Sequence, residues 1–408
     1  MKKLCLILLF LSLMSSTIFS ANTDIYNIRQ KAMGNVGVSI RQSGSNSLYG
    51  NPANLAYSSF SFGLPFRFAW ESDQAYGDNQ AKLQDLMNSS SSVSNSNSNR
   101  EQWIKDLGKL VPIDSVFKAS VYPIASLTIG GFGFGIAGTT FFNASLKDKI
   151  TPTLTLNNHT DIRYAFGYGQ EIELYGPTAI GASLEFINRR MMYDKKLGTN
   201  YIQAGPSELL DFMNDKPGKK ELGINSLFGI SLNLGVLKHI NDTKYFTNAK
   251  YGLAIKNIGT NLKGNNEVVS GNITREINVN EKVDVNATIG IAMDLNLFED
   301  NNALNKIFKD ITVASDLEFL SEKKLFAQKI HLGIEKRFRA NLANTIVSNI
   351  ALRGGMNDGF FVGGFGFDLK LWAFPVFNFN FAKYSEEYGK ELGYNTKHFT
   401  AMTVSLFW

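Results

Sequence analysis

Cysteine is nearly absent from this sequence. The 408 residues contain one cysteine, Cys5, so neither an intrachain disulfide nor a cysteine metal site can hold the chain together. After the first 20 residues, no stretch approaches 18 consecutive apolar residues, which excludes a helical membrane protein. An excess of one charge is also lacking, because 41 basic residues, less Lys2 and Lys3 of the amino terminus, leave 39 against 36 acidic ones. This near balance argues against a nucleic-acid partner.

The first 20 residues have the three parts of a secretory signal peptide. Lys2 and Lys3 give a positive start, an apolar run follows over 4–13, and small and polar residues lead to a cleavage region near Ser20–Asn22. An uncleaved membrane anchor is the alternative, but the apolar run is shorter than the roughly 20 residues that a spanning helix needs. We therefore expect residues 1–20 to be a signal peptide and the mature chain to leave the cytoplasm.

Glycine and phenylalanine are abundant, with 36 and 31 residues, and apolar residues recur at every second position. In residues 283–297, one face is apolar while Asp284 and Asp294 lie on the other. A one-residue shift would put these carboxylates into lipid, so the apolar face must be the outer one. The pattern predicts an all-β fold, a transmembrane antiparallel β-barrel of about 14 strands within residues 59–408. The predicted strands lie near 59–70, 117–130, 132–146, 161–172, 178–193, 225–239, 250–258, 283–297, 310–320, 326–338, 347–357, 360–371, 374–384 and 398–408.

A secreted β-sandwich also alternates and is the alternative fold. The last predicted strand, however, ends on Trp408. A terminal aromatic residue resembles the C-terminal signature by which bacterial outer-membrane barrels are delivered to their assembly machinery. We therefore expect a multi-pass β-barrel in the bacterial cell outer membrane, in contact with outer-membrane lipid and with the barrel assembly machinery as a partner.

The connections between the predicted strands alternate in length in the first half of the chain. Tight turns are expected at 130–132 and 173–177, and we place them on the periplasmic side. Beyond residue 240 the alternation weakens, since 298–309 is long and 358–359 is short. The long outer loops are expected at 71–116, 194–224, 259–282 and 385–397.

Two of these outer loops contain helical spacing. The polar tract at 88–99 is flanked by short apolar patterns of helical period, and Ser207 can cap a helix at 206–215. Two interpretations stay open: the loops form a partly apolar vestibule, or they are solvated loops with local helix.

No motif indicates catalysis or a cofactor. Residues 133–138 match GxGxxG, but strand alternation continues through them and no helix follows, as dinucleotide binding requires. The four histidines are scattered and have no metal-ligand spacing. His331, with Glu335 on its face, is the candidate for the histidine chemistry of outer-membrane barrel enzymes, and a lumenal polar side chain is the alternative. We expect no enzyme activity, no catalytic residue, no metal and no cofactor.

Residues 21–58 precede the first predicted strand and are rich in glycine and other small residues. Glycine and Pro52 let such a segment fold compactly in a confined space, so we predict an N-terminal hatch inside the lumen. Its central residues are Gly50, Asn51, Pro52 and Ala53. Residues expected to face the lumen near the hatch are the bare positions Gly133 and Gly135 and the charged residues Asp316, Glu318, Arg353 and Asp368. An open porin would instead use these charges for ion selectivity.

At Asn51-Pro52-Ala53, just before the first strand, the sequence resembles the long-chain fatty-acid outer-membrane transporter (FadL-like) superfamily, taken broadly to include TraF-like and PorV-like barrels. Residues 252–259, 351–367 and 384–389 look like later strands of TraF-like and PorV-like members. The sequence departs from the family pattern in the stretch RQSGSNS, shortly before Asn51-Pro52-Ala53, where relatives often have acidic residues.

This resemblance implies a small-residue hatch with an Asn-Pro-Ala box inside a fourteen-stranded barrel. The implied function is uptake of hydrophobic small molecules, such as long-chain fatty acids, by a plugged and non-enzymatic pathway. The alternative is a secretion or envelope-assembly barrel that acts through its loops on an envelope protein partner and transports nothing.

Overall fold

The computed structural model describes residues 27–42, 46–63, 67–73, 79, 81–82, 84–85, 97–109, 111, 113–146, 152–208, 222–270, 273–296, 310–320, 325–341, 346–371, 376–388 and 395–407. The predicted signal peptide and the first residues of the predicted hatch lie outside this part of the chain. Within it, no helix has both the length and the apolar character needed to cross a membrane.

The described residues form eighteen strands and a few short helices. The strands are β1 (Ser61–Gly63), β2 (Arg67–Asp73), β3 (Ile113–Ile129), β4 (Phe132–Leu146), β5 (Leu154–Glu173), β6 (Pro177–Asp194), β7 (Ile202–Ala204), β8 (Leu222–His239), β9 (Phe246–Ile258), β10 (Asn261–Ser270), β11 (Ile273–Lys282), β12 (Asn286–Leu295), β13 (Ile311–Glu318), β14 (Ile330–Asn341), β15 (Ile346–Asn357), β16 (Phe360–Leu371), β17 (Val376–Glu387) and β18 (Thr396–Phe407). The helices are α1 (Ile28–Ala32), α2 (Asn46–Tyr49), a 3₁₀ helix (Pro52–Tyr57), α3 (Asn97–Lys109) and α4 (Phe326–Lys329).

Fourteen of these strands close into an antiparallel barrel. Each pairs with the next wall strand along the chain, and β18 pairs with β2 to complete the circle. The wall strands are β2–β6, β8, β9 and β12–β18. The predicted fold class and strand number are therefore confirmed.

Side-chain alternation separates an apolar exterior from a polar interior. In the paired strands β12 and β13, Ile289 and Leu317 face outward and are 48% and 36% exposed. The next register position carries Asp316, which faces the lumen and is 2% exposed. A closed cylinder of paired backbone with an apolar outer surface satisfies every requirement of a chain that spans a bilayer.

The two ends of the barrel differ. We call the end with the short connections 130–131 and 174–176 the turn end, and the opposite end the loop end. Following the chain, the long connection 296–310 lies at the turn end, whereas the two-residue turn 358–359 lies at the loop end. The weaker alternation of loop lengths after residue 240 is therefore a real property of the barrel.

The wall also has unequal height. Strands β3–β6 and β8 contain 15–20 residues, whereas β12–β18 contain 8–12. We call these groups the tall half and the low half. At about 3.3 Å per residue and a tilt near 45°, twelve residues rise about 28 Å, close to the roughly 25 Å apolar band of outer-membrane barrels. The additional length of the tall half extends beyond such a band.

The structure corrects two boundaries. The predicted strand 59–70 is two strands, β1 and β2, which both pair with β3 on either side of a bulge between Val121 and Ala125. The predicted outer loop 259–282 is a β-hairpin, β10–β11, whose Leu262 packs against the lumen-facing residues Ile187 and Leu227. One face of this hairpin carries mostly polar side chains and the other carries a mixture of polar and apolar ones. The sequence therefore lacks the clear alternation that predicts a strand, and we predicted a loop.

The other predicted outer loops are narrower than expected, because wall strands extend into them. β2 reaches residue 73 and β3 starts at 113, β6 ends at 194 and β8 starts at 222, and β17 and β18 leave only 388–395 between them.

Helix α3 lies in the first of these loops, as predicted. Its Trp103 and Leu107 pack against Leu146 and Leu154, which are on the same sheet face as the outward-facing Phe134. The apolar side of α3 thus covers the outside of the tall half and does not line a vestibule. The second predicted helix, 206–215, lies mostly outside the described residues.

Candidate functional site

The N-terminal residues 27–42 and 46–58 lie against the inner face of the barrel. Asn51 caps the 3₁₀ helix, because its Oδ1 accepts a hydrogen bond from the Ala53 amide (3.1 Å). Pro52 occupies the first helical position, where its missing N–H costs nothing. The Asn51 amide group donates to the carbonyl oxygens of Val38 (2.8 Å) and Val236 (3.2 Å). One buried asparagine therefore folds this segment, which we call the hatch, and ties it to β8.

Glycines on the tall half let the hatch backbone approach the wall. A Cβ atom placed on Gly181 would lie 2.3 Å from the Pro52 carbonyl oxygen, and one on Gly235 would lie 2.0 Å from Asn51 Oδ1. At Gly133 it would lie 2.8 Å from the Leu55 side chain. Real Cβ atoms do not tolerate such distances, so a side chain at Gly181 would displace the hatch backbone, whereas one at Gly133 would first displace the Leu55 side chain. Gly135 lies on the same face as Gly133, two residues further along β4, and is buried.

A second group of glycines seats the hatch on the low half. Gly355 and Gly364 face inward. A Cβ atom placed on Gly355 would lie 2.7 Å from the Gly34 nitrogen, and one placed on Gly364 would lie 2.7 Å from the Ala32 Cβ. Their chain neighbours Gly354 and Gly363 pair with each other and face outward. A Cβ atom placed on either of them would lie at least 3.7 Å from any neighbouring atom. The repeated glycine pairs of segment 351–367 thus provide one inward bare position on each of two adjacent strands.

Charged groups on the low half bind hatch helix α1. Glu335 accepts from Arg29 Nε (2.9 Å) and Nη2 (2.8 Å), and also from Arg353 Nε (2.6 Å). Arg337 completes the cluster, with Nη2 2.6 Å from the same carboxylate. Arg353 also donates to Asn380 (2.8 Å). Glu335 is fully buried, so its ionised form depends on these three guanidinium groups.

Asp316 holds the next part of the hatch. Its Oδ2 accepts from two consecutive backbone amides, Gly37 (2.7 Å) and Val38 (3.0 Å). Glu318, two residues along the same face, accepts from Asn286 (2.5 Å), and His331 Nε2 lies 3.7 Å from its carboxylate. His331 is therefore a buried lumenal side chain next to an acidic residue.

Asp368 lies nearer the turn end and accepts from Asn378. Asn378 in turn accepts from Asn380 (2.7 Å) and Ser405 (3.2 Å). The asparagines between the phenylalanines of β17 thus face the lumen and form an amide ladder. The structure places Arg353 and Asp368 on this ladder and Asp316 and Glu318 on a separate part of the wall.

A second ion-pair cluster was not predicted from the sequence. Lys31 of α1 and Lys118 of β3 both bind Glu386, at 2.7 and 2.6 Å, and Glu71 accepts a hydrogen bond from Tyr384. Lys31 lies in the hatch, outside the spanning strands. Burial lowers its pKa, but the charge and hydrogen bond of Glu386 and the charge of Glu71 together outweigh burial, and the net pKa is raised. Of the charged residues in this cluster, only Lys118 lies in a predicted strand, since Glu71 and Glu386 fall in the predicted outer loops 71–116 and 385–397, so the cluster could not be read from the sequence.

The base of the β10–β11 hairpin is also bound by charge. Arg189 of β6 donates to both oxygens of Asp161, each at 2.7 Å, and to Glu281 of β11 at 2.9 Å. Within the described part of the chain, no group of His, Cys, Asp and Glu side chains is arranged to hold a metal ion. The arrangement as a whole fastens an inner segment and a hairpin to the wall.

Three solved structures similar to this chain are transport proteins by title. They are the Ralstonia pickettii toluene transporter TbuX (13% identity, 95% of this chain and 98% of that chain covered, TM-score 0.44), the CymD monoaromatic hydrocarbon channel (10%, 93% and 96%, 0.42) and the Pseudomonas putida toluene transporter TodX (9%, 96% and 98%, 0.41). No protein-family model matches the sequence, and a search of curated proteins gives no match. The assignments above rest on this chain's own pairing and contacts.

Proposed function

We propose that this protein is a bacterial outer-membrane barrel that takes up hydrophobic small molecules, including long-chain fatty acids, without a chemical step. The observation that carries the proposal is that residues 27–42 and 46–58 lie against wall glycines and buried polar groups on the inner face of the barrel, where they can plug the lumen. A plugged lumen opposes free ion flow. Transfer of apolar surface out of water, worth about 25 cal/mol per Å² buried, would drive capture of the molecule.

The test is uptake of labelled fatty acid, and in parallel of labelled toluene, by cells with and without the gene. Uptake that depends on the gene supports the proposal. Unchanged uptake of both compounds would contradict it. Conductance in planar bilayers separates the plugged barrel from an open porin, since the plugged barrel is expected to pass little current.

A second candidate function is a secretion or envelope-assembly barrel that acts through its loops. The observation in its favour is the tall half, which extends beyond the apolar band and carries α3 on its outer side. This function predicts gene-independent uptake together with loss of a secreted or assembled envelope protein in the deletion strain. An envelope protein cross-linked to the exposed Gln203 of β7 would identify the partner.

A further inference from the structure

Three buried polar atoms without a hydrogen-bond partner lie close together on the lumen face of the tall half. They are Oδ1 of Asn143, Oδ1 of Asn157 and Nδ1 of His159, and no described residue bonds to any of them. Asn157 and His159 are 8% and 5% exposed. Unpaired buried polar groups are rare because each loses its hydration without compensation.

These three atoms belong to two neighbouring rungs of one strand pair. Asn143 lies opposite Asn157, and Phe141 lies opposite His159, in the unbroken register of β4 and β5. Their parity is that of the inward-facing Asp161, and opposite to that of the outward-facing Phe166. Side chains directly opposite each other have Cβ atoms about 5 Å apart, so the three side chains lie within the length of one small molecule.

The surroundings define the chemistry of an occupant. The ring of Phe141 stacks on His159 with centroids 5.4 Å apart and an interplanar angle of 20°, which gives a flat apolar surface. The register partner of His159 on β6 is the buried Met191. The atoms without a partner are two amide oxygens, which can only accept a hydrogen bond, and one imidazole nitrogen. The nitrogen accepts or donates a hydrogen bond according to its tautomer.

The neighbouring charges are already paired within the chain. Asp161 is bound by Arg189 at 2.7 Å, and Lys118, the register partner of Phe141, is bound to Glu386 at 2.6 Å. A charged occupant would therefore find no unpaired partner in these two groups. Elsewhere on the lumen face, the amide group of the buried Asn233 donates to Ser183 and Glu185.

From this geometry we propose a lumenal subsite at Asn143, Asn157 and His159 for a neutral hydrophobic molecule that carries a hydrogen-bond donor, such as a phenol or an alcohol. The subsite rests on the proposed uptake function and narrows its substrate class. The hydroxyl group donates to an asparagine oxygen, and the ring or chain lies on Phe141.

Toluene and p-cresol make a matched pair of probes, because they share the ring and the methyl group and differ by one hydroxyl. Binding of each is measured by calorimetry on the full-length protein in nanodiscs. The wild type is expected to bind p-cresol at least tenfold more tightly than toluene. A site with buried polar groups rejects an analogue that leaves them unpaired.

The Asn143→Leu/Asn157→Leu double variant is expected to lower this ratio to about one, with toluene affinity kept. His159→Phe, which keeps the ring stack, is expected to lower it partly. Thr139→Val, on the same strand and face, is the control and is expected to leave the ratio unchanged. Heat-modifiable electrophoretic mobility reports whether each variant folds.

Equal affinity of the wild type for both probes overturns the subsite, as does a ratio that the double variant leaves unchanged. Ordered waters that bond to all three atoms and persist with p-cresol present also overturn it. Each of these results leaves hydrophobic uptake standing if toluene binds and enters cells. Failure of both probes to bind, together with gene-independent uptake, rejects the proposed function itself.

Discussion

The two halves of the barrel hold the hatch in different ways. On the tall half, the contacts are close approaches of backbone and apolar side chains to wall glycines such as Gly133 and Gly181, with uncharged hydrogen bonds such as that from Asn51 to Val236. On the low half, glycines also occur, but carboxylates of Asp316, Glu335 and Glu386 bind hatch groups directly. The first kind of contact depends on volume and the second on charge. The halves should therefore respond to different substitutions, and the hatch can be loosened from one side at a time.

The largest effect is expected for Glu335→Gln on the low half. Without this carboxylate, three guanidinium groups converge with no anion among their described partners. Breaking a buried ion pair costs about 3–5 kcal/mol, and partial exposure of Arg29 and Arg337 places this case near about 3 kcal/mol. The free energy of unfolding in urea, followed by heat-modifiable mobility in gels, measures the loss.

Glu267→Gln is the matched control, because Glu267 pairs with Lys195 at 3.4 Å in an exposed position. Such a pair contributes at most about 1 kcal/mol. If both variants lose the same stability, the low half does not hold the hatch through charge.

On the tall half, Gly181→Ala is the corresponding substitution. The added methyl group would overlap the Pro52 carbonyl, and overpacking of this kind costs about 1–3 kcal/mol. We expect the hatch to shift and the conductance in planar bilayers to rise above that of the wild type. Gly138→Ala is the control, since its Cβ would meet nothing closer than 3.4 Å. If Gly181→Ala has the conductance of the wild type, the hatch accommodates the added methyl group without opening the lumen, which would contradict this prediction.

A smaller effect is expected for Asp316→Asn. The amide oxygen can still accept from Gly37 and Val38, but the loss of charge weakens both hydrogen bonds, by about 1–2 kcal/mol in total. Hydrogen exchange in a peptide covering residues 33–42 should accelerate while wall peptides stay protected. Asp294→Asn, whose carboxylate binds Thr312 and Asn248 instead, should leave the hatch peptide unchanged.

The smallest effect concerns pH. The pKa of Lys31 is raised in the folded protein, so its contribution to stability is complete below the ordinary value of 10.5 and is lost as pH rises through the higher folded value. Exchange of hatch amides, corrected for the intrinsic pH effect, should stay constant from neutral pH to about 10 and increase only at more alkaline pH. Lys31→Met should remove this step, and a step near neutral pH in the wild type would contradict the assignment.

Strand alternation was enough to predict the barrel and its fourteen wall strands, because lipid outside and polar groups inside impose opposite demands on neighbouring residues. Alternation did not predict the β10–β11 hairpin. This hairpin packs against lumen-facing residues of the wall, so neither of its faces has to be apolar for contact with lipid. Alternation also gave no account of α3, whose apolar side covers the outer face of the wall.

The site was harder to predict for a related reason. The Asn51-Pro52-Ala53 box and the bare positions on β4 are local features that a sequence displays. The sequence does not display which wall residues pair with the charged residues of the hatch. Arg29 and Glu335 are 306 positions apart, and only the closure of the barrel brings them together. Parity showed that Glu335 faces inward, but which inward charges meet depends on strand tilt and on the path of the hatch.

The unequal height of the wall gives the barrel mouth a direction. Twelve-residue strands rise about 28 Å, whereas a strand of 20 residues rises about 47 Å at the same tilt. Among the described strands, the rim of the barrel is therefore oblique: it is high along β3–β6 and β8 and low along β12–β18. A flat surface laid against the ends of the low-half strands would therefore meet the tall half as a raised wall along one side of the barrel.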